Sequence, residues 1–336
     1  MEQRIKDIFN DRILSETCLR FAIPPESIRL LDGFESFIYE FTRHSSDYVL
    51  RISHSIRRTP SRIHAEVDWI NFLYAHGVGV ARAIESENGE LVEAIDDLHG
   101  GRFLATAFEK AKGKRLKREE WTPAFFHTYG ELIGRMHALA KTYEPSQPDQ
   151  RRGHWNDPDM LFADHFLPPD QTRVRKQYHD LLEHLATLQR DKESYGLIHQ
   201  DAHLGNFFVD DRGRITLFDF DDCAYSWFAN DIAIVLFYVL SVADDKPALT
   251  REFLPPFLEG YSRHNTLSPA WLATIPSFLK LREIDLYGVI YRSFDVNDLS
   301  ADPWVSRFMA GRRERIESGF PYVEIDFREF TLPVRL

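Results

Sequence analysis

The chain has 336 residues, of which 43% are hydrophobic and 28% charged, so it is long enough for two folded lobes and its composition is not that of a disordered protein. Its net charge of −11 argues against nucleic-acid binding and against docking on an anionic membrane. Two isolated cysteines, Cys18 and Cys223, and an N-terminus without an apolar signal segment predict a cytoplasmic protein with no disulfide framework and no zinc site.

The first hundred residues predict a small β-rich lobe. Residues 4–20 have apolar positions at helical spacing and predict one amphipathic helix. A second helix is predicted over 61–76, where Gly77 and Gly79 mark its end. Short runs rich in β-forming residues, separated by turn residues, predict six strands. These runs are 27–32, 36–42, 47–53, 81–86, 90–95 and 102–108.

Helical signals dominate after residue 116. Thr122-Pro123 is a helix-start signal, and Asn230 is predicted to cap a nearly all-apolar helix that ends near Val242. Residues 145–170 predict an irregular segment. The other predicted elements are helices 122–141 and 171–191, strands near 197–198, 207–209 and 214–218, and helices over most of 247–318.

This order of elements predicts an α+β, bilobal architecture. The N-lobe, residues 1–109, is expected to hold a small antiparallel sheet with one main helix and to bind a nucleotide. The short basic run KAKGKRL at 110–116 is predicted to be a linker. The larger, mostly helical C-lobe, residues 117–336, is expected to carry catalysis and acceptor binding, with the ligand in a cleft between the lobes.

The densest group of chemically active residues lies in LIHQDAHLGNFFVDDRGRITLFDFDD, residues 197–222. One aspartate in such a segment is most often a turn residue, but the joint spacing of His199, Asp201, Asn206 and Asp219 is far more specific. Phosphoryl transfer needs a carboxylate that orients and partly deprotonates a hydroxyl, which suits Asp201. It also needs oxygen ligands for magnesium, which suits Asn206 and Asp219. The hairpin between these two residues can fold both into one pocket.

This segment resembles the catalytic and metal loops of the aminoglycoside phosphotransferase/choline kinase family, whose pattern is H-G-D-x-x-x-x-N followed by I-D-F. The resemblance extends over most of the chain and is closest to the branch of homoserine kinase and a related stress-response kinase. It implies a protein-kinase-like fold, ATP and Mg²⁺ as cofactors, and Asp201 as the catalytic aspartate. It also implies Asn206 and Asp219 as magnesium ligands and a structural role for His199. Gln200 stands where the family has glycine, which affects the backbone turn.

The family also has a lysine on the third strand, paired with a helix glutamate. No lysine occurs between Lys6 and Lys110, and Arg51 in the strand DYVLRIS stands at the lysine's place. An arginine can reach nucleotide phosphates with its forked cation, and Glu66 on the next helix is its natural partner. The alternative is that Arg51 is a surface residue on an edge strand and that Glu66 is solvated.

Three further residues are candidates for nucleotide binding. Gly33, in the loop LDGFESFIY, permits a tight turn whose backbone amides meet phosphate. Phe34 either covers the nucleotide or caps the hairpin, and Phe108 lies just before the linker, where adenine would meet backbone groups. Asp221 and Asp222 are open in role: they contact a substrate amine, assist the metal, or form a solvated turn.

The leading functional hypothesis is an ATP-dependent kinase that transfers the γ-phosphate to a hydroxyl of a small metabolite. An amino alcohol, an amino acid or a sugar-like compound fits, and the acidic surface is compatible with a cationic acceptor. A serine/threonine protein kinase is the second hypothesis, although no activation-loop or APE-type motif follows Asp219. A non-catalytic nucleotide-binding regulator is the third, favoured by Arg51 and opposed by the intact Asp201, Asn206 and Asp219. Acceptor and oligomeric state stay open.

Overall fold

The computed structural model describes residues 1–31, 33 and 35–332, and it divides into two compact units. The first unit comprises Met1–Lys114, Tyr143–Arg152 and Phe208–Asp221. The second comprises Arg115–Thr142, Gly153–Phe207 and the chain from Asp222 onward. The first division falls inside the 110–116 run, and two later segments return to the first unit.

The first unit is built on a six-stranded antiparallel sheet. Its strands are β1 (Ile28–Leu31), β2 (Phe37–Arg43), β3 (Ser46–His54), β4 (Ala83–Ile84), β5 (Glu93–Asp96) and β6 (Arg102–Glu109). The order along the sheet is β1-β2-β3-β6-β4, and β5 also pairs with β6, so β3 is a central strand. The small antiparallel sheet expected for the N-lobe is therefore present.

Three helices accompany this sheet: α1 (Gln3–Ile8), α2 (Asp11–Arg20) and α3 (Pro60–Ala75). The prediction of one helix over 4–20 is wrong, because the helix breaks at Phe9 and Asn10. The Asn10 side chain accepts hydrogen bonds from the backbone N–H groups of Arg12 (3.1 Å) and Ile13 (3.3 Å) and so caps a second helix. The apolar side of α2 then packs on the sheet, where Ile13 joins Leu50 and Ile52 in the core.

A short hairpin of β8 (Phe207–Val209) and β9 (Ile215–Leu217) adds to the first unit. The backbone of Leu217 bridges to Val80 and that of Val209 to Lys114. Strand β9 ends two residues before Asp219, so this hairpin fixes where the Asp219 segment starts.

The second unit consists mainly of helices around a two-stranded sheet. The strands are β7 (Tyr195–Ile198) and β10 (Ala224–Trp227), paired antiparallel. The helices are α4 (Pro123–Ala140), α5 (Phe162–Phe166), α6 (Thr172–Ala186), α7 (Phe228–Leu240), α8 (Lys246–Ser262), α9 (Pro269–Leu272), α10 (Ile275–Ser293), α11 (Pro303–Met309) and α12 (Arg312–Glu317). Helices α4 and α8 pack closely because a side chain at Gly130, Gly134 or Gly260 would collide with the facing backbone. None of the helices in the described part of the chain is long and apolar enough to cross a bilayer.

Helix α7 lies in the core, with every residue buried except Tyr238. The prediction that Asn230 caps this helix is wrong. Strand β10, which pairs with β7, runs to Trp227 and the helix starts directly at Phe228. Asn230 therefore lies in the first helical turn, where its side-chain amide donates to Gln200 Oε1 (3.2 Å) and Ser226 Oγ (3.1 Å).

Candidate active site

The loop between β7 and β8, residues 199–206, carries the predicted catalytic aspartate. The Asn206 side-chain amide donates to the Asp201 backbone oxygen (3.0 Å) and to its Oδ2 (3.0 Å). His203 Nε2 lies 3.4 Å from the same carboxylate oxygen. The loop thus brings Asp201, Asn206 and His203 together, and the Asp201 side chain keeps 19% of its surface exposed, enough to meet a ligand.

Asp231 anchors this loop to helix α7. Its two carboxylate oxygens accept the backbone N–H groups of His199 (3.1 Å) and Gln200 (3.0 Å). His137 Nε2 lies 3.1 Å from the same carboxylate, and burial lowers the pKa of His137, so the neutral ring donates at Nε2. His199 Nδ1 in turn accepts the backbone N–H of Asp201 (3.2 Å), which is the structural role that the resemblance implies for His199.

Gln200 adopts a left-handed backbone conformation, with φ of 68°. Glycine takes this conformation without steric cost, which explains why the family pattern has glycine there. The Gln200 side chain accepts a hydrogen bond from Asn230, and its backbone N–H is bound by Asp231. Glutamine in place of glycine therefore keeps the turn, and these two hydrogen bonds offset the strain of its left-handed backbone.

Sequence reasoning missed Arg282, which meets Asp201, and Tyr238, which meets Arg282. Arg282, on helix α10, places Nη2 against Asp201 Oδ1 and donates from the same nitrogen to the Tyr238 hydroxyl (2.6 Å). The guanidinium also lies over the Tyr238 ring, 5.1 Å from its centroid. Arg282 stands 81 positions after Asp201, so neither spacing nor a local motif could have joined the two.

These contacts fix the charge of the Asp201 carboxylate. Burial acts to raise the pKa of Asp201, but His203 and Arg282 outweigh it and bring the pKa down to about 2. Asp201 is therefore ionised at neutral pH. It can accept a hydrogen bond from a bound hydroxyl and align it, although its low pKa makes it a weak proton acceptor.

The first unit holds the predicted Arg51–Glu66 pair. Arg51 Nη1 and Nη2 donate to Glu66 Oε1 and Oε2, both at 2.7 Å. Arg51 is 6% exposed and Glu66 is fully buried, and β3 is central, so the alternative of a surface arginine with a solvated glutamate is wrong. The Arg51 guanidinium lies over the Phe108 ring, 5.2 Å from its centroid, which places two nucleotide-binding candidates side by side.

The loop candidates are only partly described. A Cβ at Gly33 would collide with the backbone oxygen of Ser36, so this turn excludes any larger residue. Phe34 lies outside the described residues. Asp219 has a left-handed φ of 64°, a strained conformation that clusters at functional sites, and its charge helps to raise the pKa of Arg51.

Asp221 is buried rather than part of a solvated turn, which corrects that expectation. Its Oδ2 lies 2.5 Å from Arg57 Nη1 and 3.5 Å from Arg58 Nε, and its Oδ1 lies 4.0 Å from Arg51 Nη1. The Asp221 backbone oxygen accepts from Arg152 (2.5 Å). Burial alone raises the pKa of Asp221, but the surrounding arginines hold it far below its ordinary value.

The predicted magnesium ligands have suitable chemistry. Because the Asn206 nitrogen donates to Asp201, the amide oxygen of Asn206 is left as an acceptor. Within the described residues no three His, Cys, Asp or Glu side chains are grouped as a metal site. Mg²⁺ binds through one or two carboxylates together with phosphate oxygens and water, so an amide and a carboxylate fit this ion.

Comparisons with known proteins agree with this chemistry. Residues 27–274 match the model of the phosphotransferase enzyme family, APH. Amicoumacin kinase of Bacillus subtilis (strain 168) is 38% identical over 328 residues, which cover 96% of this chain and 97% of that protein.

Solved structures extend the likeness to the fold. Amicoumacin kinase hAmiN, in complex with AMP-PNP, Ca²⁺ and Ami, superposes with a TM-score of 0.93 at 39% identity, covering 98% of this chain and 100% of that one. A microcompartment-associated aminopropanol kinase gives a TM-score of 0.72 at 23% identity, covering 92% of this chain and 98% of that one, and so supports the fold alone. The predicted protein-kinase-like fold class is confirmed, and so is the predicted enzyme class, a kinase with an alcohol group as acceptor. The chain belongs to the phosphotransferase enzyme family.

Proposed function

We propose that the chain transfers the γ-phosphate of ATP, with Mg²⁺, to a hydroxyl group of a small metabolite. The observation that carries this proposal is the ionised Asp201 carboxylate held by Asn206 in a partly exposed loop. The relative with 39% identity was solved with AMP-PNP, Ca²⁺ and Ami, which supports a nucleotide, a divalent ion and a small acceptor. Amicoumacin is therefore the first acceptor to test, followed by amino alcohols, amino acids and sugars.

Each proposed site residue has one task. Asp201 orients the acceptor hydroxyl and takes up its proton, while Asn206 and Asp219 hold magnesium. When bound, this ion offsets the charge that develops on the phosphate oxygens. Arg51, oriented by Glu66, contacts the nucleotide phosphates. The remaining proposed nucleotide contacts are Gly33, Phe34 and Phe108.

Turnover of ATP in the presence of this acceptor panel tests the proposal. Acceptor-dependent ADP release with a phosphorylated small molecule supports it. Nucleotide binding without turnover on any acceptor would favour the regulator, and transfer to protein serine alone would favour the protein kinase.

Arg282 gives the proposal a pH signature. Replacing Arg282 with methionine removes a cation that lowers the pKa of Asp201, so the carboxylate should protonate at higher pH than in the wild type, where its pKa is about 2. Only the ionised form takes up the hydroxyl proton. We therefore expect the acidic limb of the kcat/KM profile to move to higher pH. The matched control is Arg313→Gln, which removes an exposed arginine paired with Glu317 and should leave the profile in place.

We further propose that the acceptor is cationic and that Asp285 binds its amine. Asp285 lies one turn after Arg282 on α10, and its Oδ1 is buried without a hydrogen-bond partner. The buried Tyr178 hydroxyl lies nearby and acts on the Asp285 carboxylate as a hydrogen-bond donor. Burial raises the pKa of Asp285 to about 7, and Arg282 opposes this rise. An ammonium group would give the buried Oδ1 a charged partner and stabilise the ionised carboxylate.

Asp285→Asn should raise KM for an amine-bearing acceptor by roughly 10-fold or more, because a charged hydrogen bond is lost. KM for ATP should not change, and an acceptor analogue lacking the amine should not distinguish the two proteins. Because the raised pKa leaves Asp285 ionised only above about 7, acceptor affinity in the wild type should improve as the pH rises through that value. Steady-state kinetics with Asp180→Asn, an exposed aspartate of α6, provides the control. Equal KM values for Asp285→Asn and wild type would exclude this role.

A further inference from the structure

Arg57, in the loop between β3 and α3, lies between two carboxylates. Its Nη2 contacts Glu35, and its Nη1 lies 2.5 Å from Asp221 Oδ2. The Arg57 and Glu35 side chains are each 17% exposed, whereas Asp221 is 9% exposed. Arg57 is therefore a partly accessible cation, and of these two carboxylates Glu35 is the more accessible.

Both partners belong to segments that are proposed to contact the nucleotide. Glu35 follows Gly33 by two positions, and the backbone oxygen of Ser36 packs closely against Gly33. Asp221 follows the proposed metal ligand Asp219 by two positions, and its other oxygen lies 4.0 Å from Arg51 Nη1. All of these residues lie in the first unit, and Arg57 contacts two of the segments that are proposed to bind the nucleotide.

The two partners differ in how firmly they are fixed. Asp221 also contacts Arg58, and its backbone oxygen is bound by Arg152, so several contacts would have to break before it moved. Glu35 lies in a connecting turn and carries one negative charge, fewer than a nucleotide polyphosphate carries. A guanidinium nitrogen binds a phosphate oxygen as readily as a carboxylate oxygen. Glu35 is thus the partner that a phosphate group can replace.

We propose that Arg57 is a second nucleotide-binding cation besides Arg51. Without nucleotide it pairs with Glu35. With nucleotide bound, it exchanges Glu35 for a phosphate oxygen, while Asp221 keeps the guanidinium in place. The inference rests on the proposed function in so far as a nucleotide must bind, but it needs neither an acceptor nor turnover.

Calorimetric titration with AMP-PNP and with adenosine tests the exchange. Arg57→Gln should weaken AMP-PNP binding by about 10–100-fold, the loss expected for a charge-assisted hydrogen bond. Adenosine binding should change less than about 2-fold, because adenosine has no phosphate. Arg57→Lys, which keeps the charge but loses the fork, should be intermediate. Arg29→Gln, which removes an arginine that is 72% exposed and paired with Glu40, is the control for general charge.

The Glu35→Gln variant gives a result of opposite sign. If Glu35 competes with phosphate, removing its charge should tighten AMP-PNP binding by a few-fold and leave adenosine binding unchanged. Weaker AMP-PNP binding in this variant, or an equal loss of AMP-PNP and adenosine in Arg57→Gln, would overturn the exchange and indicate a purely structural pair. A wild-type protein that binds no nucleotide would overturn the proposed function itself, and this inference with it.

Discussion

Replacing Asp201 with asparagine is expected to lower kcat by about 10²–10⁴-fold, the range typical for loss of a general base. Asparagine has nearly the same shape, but it carries no charge to attract the acceptor proton. The loop should stay folded, because Asp231 holds it through the backbone of His199 and Gln200 rather than through the Asp201 side chain. Single-turnover phosphotransfer measures the loss. The affinity for AMP-PNP, measured in parallel, should change little.

The control for this variant is Asp211→Asn, at an exposed position in the turn between β8 and β9. It removes the same charge from the neighbouring segment and should retain wild-type kcat. An Asp201→Asn enzyme with wild-type kcat would show that another group orients the hydroxyl. Loss of the folded state would instead assign Asp201 to the loop's stability.

Arg51→Met is expected to reduce the free energy of unfolding by about 3–5 kcal/mol, because it leaves the Glu66 carboxylate buried without its partner. The melting temperature should fall by about 4–7 °C for a chain of this size. Thermal and urea unfolding measure the change. The double variant Arg51→Met, Glu66→Gln should recover part of the loss, since it removes the unpaired charge.

The exposed pair of Arg29 and Glu40 provides the comparison for Arg51→Met. Arg29 is 72% exposed, so Arg29→Met should cost less than about 1 kcal/mol. If Arg51→Met proved as stable as Arg29→Met, the two hydrogen bonds between Arg51 and Glu66 would contribute nothing to stability. The role in the core assigned to Arg51 and Glu66 would then be wrong.

Local signals predicted most of the elements of the fold. Thr122 and Pro123 predicted the start of helix α4, and the Thr122 side chain indeed caps it by accepting the Phe125 N–H (3.1 Å). The break at Asn10 and strand β10 were missed. Asn10 could have been identified as a cap, whereas the four residues of β10 become a strand only by pairing with β7.

The candidate site was predictable where its residues are close in sequence. Asp201, Asn206 and His199 belong to one loop, and the structure brings them together. Arg282 and Arg57 were missed because their partners lie far along the chain, and single arginines carry no motif. From its acidic neighbours, Asp221 was predicted to contact an amine, assist the metal or form a solvated turn. In the structure, arginines from other segments surround its carboxylate and favour its charged form.

The division of the chain into units has a consequence for dissecting the protein. The first unit takes in Tyr143–Arg152 and Phe208–Asp221, so the backbone enters and leaves it repeatedly. A fragment cut after Lys114 would lack strand β9, which bridges to Val80. It would also lack Asp221, whose carboxylate contacts Arg57 and Arg58. Neither half would then be a self-sufficient piece, because the first unit is assembled from three separate segments of the chain.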